Sequence, residues 1–168
     1  MRRELPGGLE LDDDPARVDV DAVHAFISRE SYWGPGRPRE VVECAIRGST
    51  RVVGLYRGAQ QVGFARAISD GAIVAYLADV YVLAPYRGRG LGLALVREIV
   101  EGGALSEVMW LLHTADAQGL YERLGFTAPS VYPMLERRRR RAPAEWLLSG
   151  APSGRAPGVR AEQPRPAS

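Results

Sequence analysis

The stretch from Tyr76 to Glu101, YLADVYVLAPYRGRGLGLALVREIVE, constrains this chain more than any other. It predicts a buried strand, a sharp glycine-rich turn and an amphipathic helix in immediate succession. Residues 80–83 are apolar and mostly β-branched or aromatic, which suits a covered strand. Pro85 ends that strand because it brings no N–H to a ladder. Arg87, Gly88, Arg89, Gly90 and Gly92 crowd the turn. Leu91, Leu95 and Ile99 then recur at i, i+4 and i+8, the spacing of a core-facing stripe. A turn bare of side chains lets a ligand approach the backbone closely. The helix start behind it offers unpaired N–H groups and a positive dipole end, so the element is built to hold an anion, phosphate foremost.

Spacing separates the known phosphate loops. A P-loop needs Lys followed by Ser or Thr after its last glycine. This chain has no lysine, so all 22 of its basic residues are arginine. A dinucleotide fingerprint needs G-x-G-x-x-G. Counted from Gly88 its last glycine would fall on Leu93, and counted from Gly90 on Leu95. Both nucleotide readings fail.

What remains is Arg87-x-x-Gly90-x-Gly92 behind a strand carrying Val82 and Pro85. That pattern resembles the acetyl-coenzyme A loop of the GNAT N-acetyltransferase superfamily, Arg/Gln-x-x-Gly-x-Gly/Ala. Downstream, residues 116–126, DAQGLYERLGF, resemble the helix that follows in the family, with its Tyr-x-x-x-Gly-Phe ending. Tyr121, Gly125 and Phe126 match it in order. The resemblance covers residues 9–136. It implies an α/β fold whose mixed, mostly antiparallel sheet of about six or seven strands is flanked by helices.

The resemblance also implies site residues. Backbone amides of the loop Arg87, Gly88, Arg89, Gly90, Leu91 and Gly92 would hold the pyrophosphate of acetyl-CoA, with Val80 and Val82 alongside the cofactor. The Arg87 side chain is expected to help, and Arg89 less so. Backbone N–H groups near Val82 would stabilise the oxyanion. Tyr121 would protonate the departing thiolate, since a phenol of ordinary pKa near ~10 is a donor at neutral pH. Asp79 is the candidate base. It alternates with Val80 and Val82 and so points away from them, and its other reading is a structural carboxylate paired with Arg66 or Arg87. Asp116 departs from the family, which often carries an amide there; it is expected to cap the next helix. On the acceptor side Tyr32, Trp33, Tyr76 and His113 are candidates to line the cleft, while Trp110 is expected in the core.

Composition sets the remaining bounds. With 168 residues, 46% of them apolar, the chain has room for one real core. Residues 1–136 are expected to form the domain. Residues 137–168 are expected to form an arginine- and Pro/Gly/Ala-rich tail without fixed structure. That tail holds eight arginines and two glutamates, leaving 14 basic and 18 acidic residues for the rest. The run Arg137–Arg141 has no interleaved aromatics, so a solvated charge run is favoured over nucleic-acid binding. No apolar run is long enough to cross a membrane, and the N-terminus lacks the apolar core of a signal peptide. The single Cys44 fits a reducing cytoplasm and falls in a predicted helix as a packed thiol. No metal is expected, because His24 and His113 stand apart from any Cys/His cluster. The absence of lysine and asparagine points to GC-rich codons and a bacterial source.

Along the chain the expected order is β-α-α-β-β-β-α-β-α-β. The strands fall near Leu9–Leu11, Thr50–Tyr56, Gln61–Ile68, Ile73–Val82, Val108–His113 and Thr127–Glu136. A helix start is expected at Asp12–Pro15. The expected activity is direct transfer of acetyl from acetyl-CoA to a primary amine, since no Cys or Ser nucleophile stands out. A CoA-binding regulatory module of the same fold is the alternative, and the oligomeric state is open, a homodimer included.

Overall fold

The computed structural model describes residues 1–128 and Met134. Among these residues one six-stranded sheet runs in chain order: β1 (Arg2–Leu5), β2 (Leu9–Asp12), β3 (Arg51–Arg57), β4 (Gln60–Ser69), β5 (Val74–Val82) and β6 (Met109–Leu111). Neighbours are antiparallel except β5 and β6, which run parallel. Helices α1 (Val20–Arg29) and α2 (Arg39–Arg47) precede β3. Helix α3 (Leu91–Glu101) crosses from β5 to β6, and α4 (Gln118–Glu122) follows β6. The mixed, mostly antiparallel sheet flanked by helices is the expected class. The chain divides into a unit Met1–Glu136 and a unit Arg137–Ser168. The expected tail, and almost all of the strand expected over Thr127–Glu136, lie outside the described residues.

Each face of the sheet is covered by its own helices. Leu11, Val53, Leu55, Leu77, Leu95 and Ile99 belong to the cluster under α3. Phe26, Ile27, Val42, Val52, Phe64 and Tyr81 form the cluster under α1 and α2. Val52 and Val53 go to opposite clusters, as the period-two strand requires. The expected stripe on α3 is present: Leu91, Leu95 and Ile99 are buried together with Val96 and Val100. Burying side chains of this size contributes roughly 1.5–3 kcal/mol each.

Two expectations at the N-terminal end are corrected. Strand β1 was not foreseen, because Arg-Arg-Glu shows no apolar alternation and its first three residues are exposed. Gly7 and Gly8, at φ 81° and 69°, make the turn that pairs it with β2. The acid-proline signal at Asp12–Pro15 starts only a short 3-10 turn, Pro15–Arg17, in which Ala16 N–H donates to Asp14. Helix α1 starts later, where Ala22 N–H donates to Asp19 Oδ1 at 2.9 Å. The far end of α3 is capped by Arg51, whose guanidinium donates to the Glu98, Ile99 and Gly102 carbonyls and pairs with Asp13 and Glu98.

A bulge in β5 places the site. Phe64 faces Tyr81 and Arg66 faces Ala78, so Ala65 alone opposes both Asp79 and Val80. Asp79 takes φ 51°, the one non-glycine residue with positive φ among those described. The extra residue reverses the side-chain phase of the strand. Leu77 therefore packs under α3, while Tyr81, four residues on, packs under α1 and α2. The β5–β6 ladder covers only Val74–Tyr76 against Met109–Leu111, and β5 continues to Val82 without it. Past Tyr76 the two parallel strands part, leaving a wedge at the C-terminal end of the sheet.

Candidate active site

The wedge opens into a cleft of about 590 Å³ lined by Arg87, Gly88, Gly90, Leu91 and Gly92 and by Tyr32, Trp33 and Tyr121. Val80 and Val82 form its strand wall. At the loop, Gly88 and Gly90 hold φ 75° and 74°, a conformation open to glycine at no steric cost, and nothing stands within 4 Å of where a side chain would begin. Gly90 is the N-cap of α3 and no side chain caps that end. Its free N–H groups and dipole face the cleft, as an anion site requires. Gly92 serves a different purpose. A Cβ there would lie 3.2 Å from Leu120 Cδ1, so this glycine lets α4 approach α3.

The two loop arginines part company. Arg87 lines the cleft but its Nε donates to Val82 O at 2.8 Å, which closes the turn behind the strand and leaves only its terminal nitrogens for a ligand. Arg89 is exposed and does not line the cleft. Arg123, at the end of α4, does line it and supplies a second positive charge that sequence spacing did not single out.

Tyr121 sits on α4 at the cleft wall and is buried apart from 9% of its surface. Gly125, at φ 82°, ends the helix and lets Phe126 N–H return to Tyr121 O. The Phe126 ring then meets the Tyr121 ring edge-on at 5.8 Å, which fixes its orientation. Burial pushes the Tyr121 phenol up to about 12, and the nearby Tyr32, Asp116 and Tyr76 push the same way. The hydroxyl stays protonated well above neutrality and makes no hydrogen bond to another described residue, so it is a donor in waiting. Asp116 does not cap α4, contrary to expectation. Thr114 Oγ1 accepts from Ala117 N–H instead, and Asp116 is exposed at the cleft.

Asp79 is buried and does not itself line the cleft, but it is bonded to Trp33, which does. Trp33 Nε1 donates to it at 2.9 Å, Arg37 Nη1 at 3.1 and 3.3 Å, and Arg66 Nε at 2.6 Å. Burial alone would raise its pKa, but Arg66 and Arg37 outweigh that and hold it below the usual carboxylate range. A carboxylate so acidic and so fully donated to is a poor proton acceptor, which disfavours the base expected there. Of the two partners foreseen, Arg66 is present, Arg87 is not, and Arg37 was missed. Arg37 lies in a Gly/Pro loop with no local pattern to mark it; only the bulge brings the three together.

Of the acceptor-side candidates, Tyr32 and Trp33 line the cleft, whereas Tyr76 and His113 pair with each other and are not among its lining residues. Tyr76 shares its hydroxyl with His113 Nδ1 at 2.7 Å. Tyr32 accepts from Ala115 N–H at 2.8 Å, which ties the α1–α2 loop to the segment after β6 across the cleft. Trp33 stands edge-on to Tyr32. Glu30 also lines the cleft and was not foreseen. Trp110 packs with the core as expected and donates to Leu105 O.

Comparison with known proteins agrees with this geometry. Residues 48–128 match the family model of the acetyltransferase (GNAT) domain. A Gibberella zeae protein that bears an acetyltransferase name is 33% identical over 138 residues, covering 68% of this chain and 76% of the relative. A crystal structure of a GNAT-family protein from Xanthomonas campestris pv. campestris is 36% identical with TM-score 0.74, covering 81% of this chain and 96% of that one. A structure from Deinococcus radiodurans R1, at 24% identity and TM-score 0.65, shares the fold over 82% of this chain and 94% of its own. With the sheet, the glycine loop and the Tyr121 helix in place, the chain belongs to the GNAT family of acetyltransferases.

Proposed function

We propose that this protein transfers the acetyl group of acetyl-CoA directly to a primary amine. GNAT acetyltransferases generally use acetyl-CoA and act on amine acceptors. The observation that carries the reading for this chain is the meeting of the Gly88–Gly92 turn and the Tyr121 phenol on one cleft. The amides at the start of α3, flanked by Arg87 and Arg123, bind the phosphates. Val80 and Val82 align the thioester arm along the parted strand, whose backbone N–H groups face the developing oxyanion. Tyr121 gives its proton to the thiolate as the carbon–sulfur bond breaks.

Asp79 is assigned to positioning: it holds Trp33, Arg37 and Arg66 in register. The proton of the acceptor ammonium is assigned to the Tyr76–His113 pair. With His113 in the tautomer protonated at Nε2, the Tyr76 oxygen takes the proton while its own passes to Nδ1. The half-buried Cys44 on α2 does not line the cleft, which supports direct transfer and suits a reducing, cytoplasmic setting. Among the described residues no helix is long and apolar enough to cross a membrane, and no group of His, Cys, Asp and Glu is arranged for a metal.

Thiol release from acetyl-CoA against a panel of amines tests the reading. Release that depends on an amine, with no acetyl left on the protein when the amine is omitted, is the expected result. An isolable acetyl-enzyme would overturn direct transfer. Tight CoA binding with no release for any amine would favour the regulatory module.

A further inference from the structure

Two guanidinium groups converge on one carboxylate beside the cleft. Arg66 and Arg37 both pair with Asp79, whose side chain is 5% exposed, while theirs are 11% and 19% exposed. Asp79 stays ionised, so the trio carries one net positive charge in a mostly dry setting. Arg66 spends only its Nε on Asp79; its two terminal nitrogens make no hydrogen bond to any described residue. No sealed side-chain nitrogen or oxygen among the described residues lacks a partner, so those two nitrogens keep some accessible surface, although Arg66 is not itself among the cleft-lining residues. The side on which they are accessible follows from the sheet. Arg66 stands opposite Ala78 on the face it shares with Tyr76, away from α3, and the α1–α2 loop lays Trp33 against the same carboxylate.

We infer that the acceptor is an amine that also carries a carboxylate, gripped by the free fork of Arg66 with Arg37 adding charge behind it. The inference rests on the acetyl-transfer reading and names the substrate class for it. A guanidinium fork matches a carboxylate in two parallel hydrogen bonds, and the match strengthens where water is scarce. A single surplus charge balances a monoanion better than a phosphate dianion. Glu30, exposed on the cleft and in no ion pair among the described residues, offers the opposite charge to the amine of such a zwitterion.

The test compares the standard L-amino acids with their methyl esters and decarboxylated amines as acceptors for the full chain. The free acids are expected to exceed their esters in kcat/KM by about ten- to a hundredfold, the range of one charged hydrogen-bonded pair. Arg66→Gln, which keeps a donor for Asp79, is expected to raise KM for the acids more than for the esters and so to narrow the ratio between them. Arg66→Lys keeps the charge without the fork and should fall between. Calorimetry of the same acids and esters on the CoA-loaded protein reads the site without turnover. Esters or plain amines equal to or better than the acids, in turnover or in binding, would overturn the proposal, as would a preference for phosphorylated amines. Acid-selective binding without any acetylation would leave this site standing and sink the transfer reading instead.

Discussion

Arg66 Nε lies 2.6 Å from Asp79 Oδ2, across the bulge at which Asp79 adopts φ 51°. The left-handed backbone costs roughly 1–2 kcal/mol for a residue with a Cβ. The four hydrogen bonds of the carboxylate hold it there. Those bonds and the bulge depend on one another: without the extra residue in β5, Asp79 could not turn toward Trp33 and Arg37.

Asp79→Asn isolates the charge, since asparagine tolerates this backbone. It should lower stability by about 3–5 kcal/mol, because two arginines lose their counter-charge. The folded pKa of Asp79 is depressed, so its contribution is complete above the ordinary carboxylate value near ~3.9 and is lost as pH falls through the folded value. Thermal melts should therefore show a constant deficit from neutrality down to about pH 4, narrowing below it. Unchanged melting with loss of only the acid limb of the rate profile would restore Asp79 as the base.

Tyr121→Phe should keep acetyl-CoA affinity, because the ring still packs against Phe126. Turnover should fall by roughly one to three orders of magnitude, within or near the range for loss of a general acid. With the phenol pushed up to about 12, it does not titrate across the usual assay range. No high-pH limb below pH 10 should therefore belong to it, and such a limb should persist in the phenylalanine variant. Full activity of that variant would make water the proton source.

His113→Ala should reduce kcat/KM on the order of a hundredfold. Added imidazole should restore part of the rate, which a purely structural loss would not allow. Tyr76→Phe should show the same loss without rescue. Unaltered kinetics in both would mean the amine is deprotonated by solvent.

The glycines of the loop should fail in different ways. Gly90→Glu places a carboxylate where the phosphates are expected, so acetyl-CoA binding by calorimetry should vanish while the circular dichroism stays native. Gly92→Val should instead push Leu120 and α4 away, lowering kcat more than affinity because Tyr121 moves with the helix. Equal effects on binding in both variants would show that Gly92 also faces the phosphates.

Local pattern carried much of this protein. The Arg87–Gly92 turn, the stripe on α3 and the Tyr121–Phe126 helix end were legible because their physics acts between residues close in the chain. Strand β1 was not, since an exposed edge strand needs no apolar alternation to pair. Asp79 shows the limit most clearly. Its strand, its side of the sheet and one partner could be read from alternation and charge. Whether it was a base or a tether could not, because that depends on Arg37 and Trp33, which lie more than forty residues away. Only a bulge that reverses the phase of β5 brings them onto one carboxylate. The pKa of a buried group is set by the charges that the fold places around it, and sequence spacing alone does not record those distances.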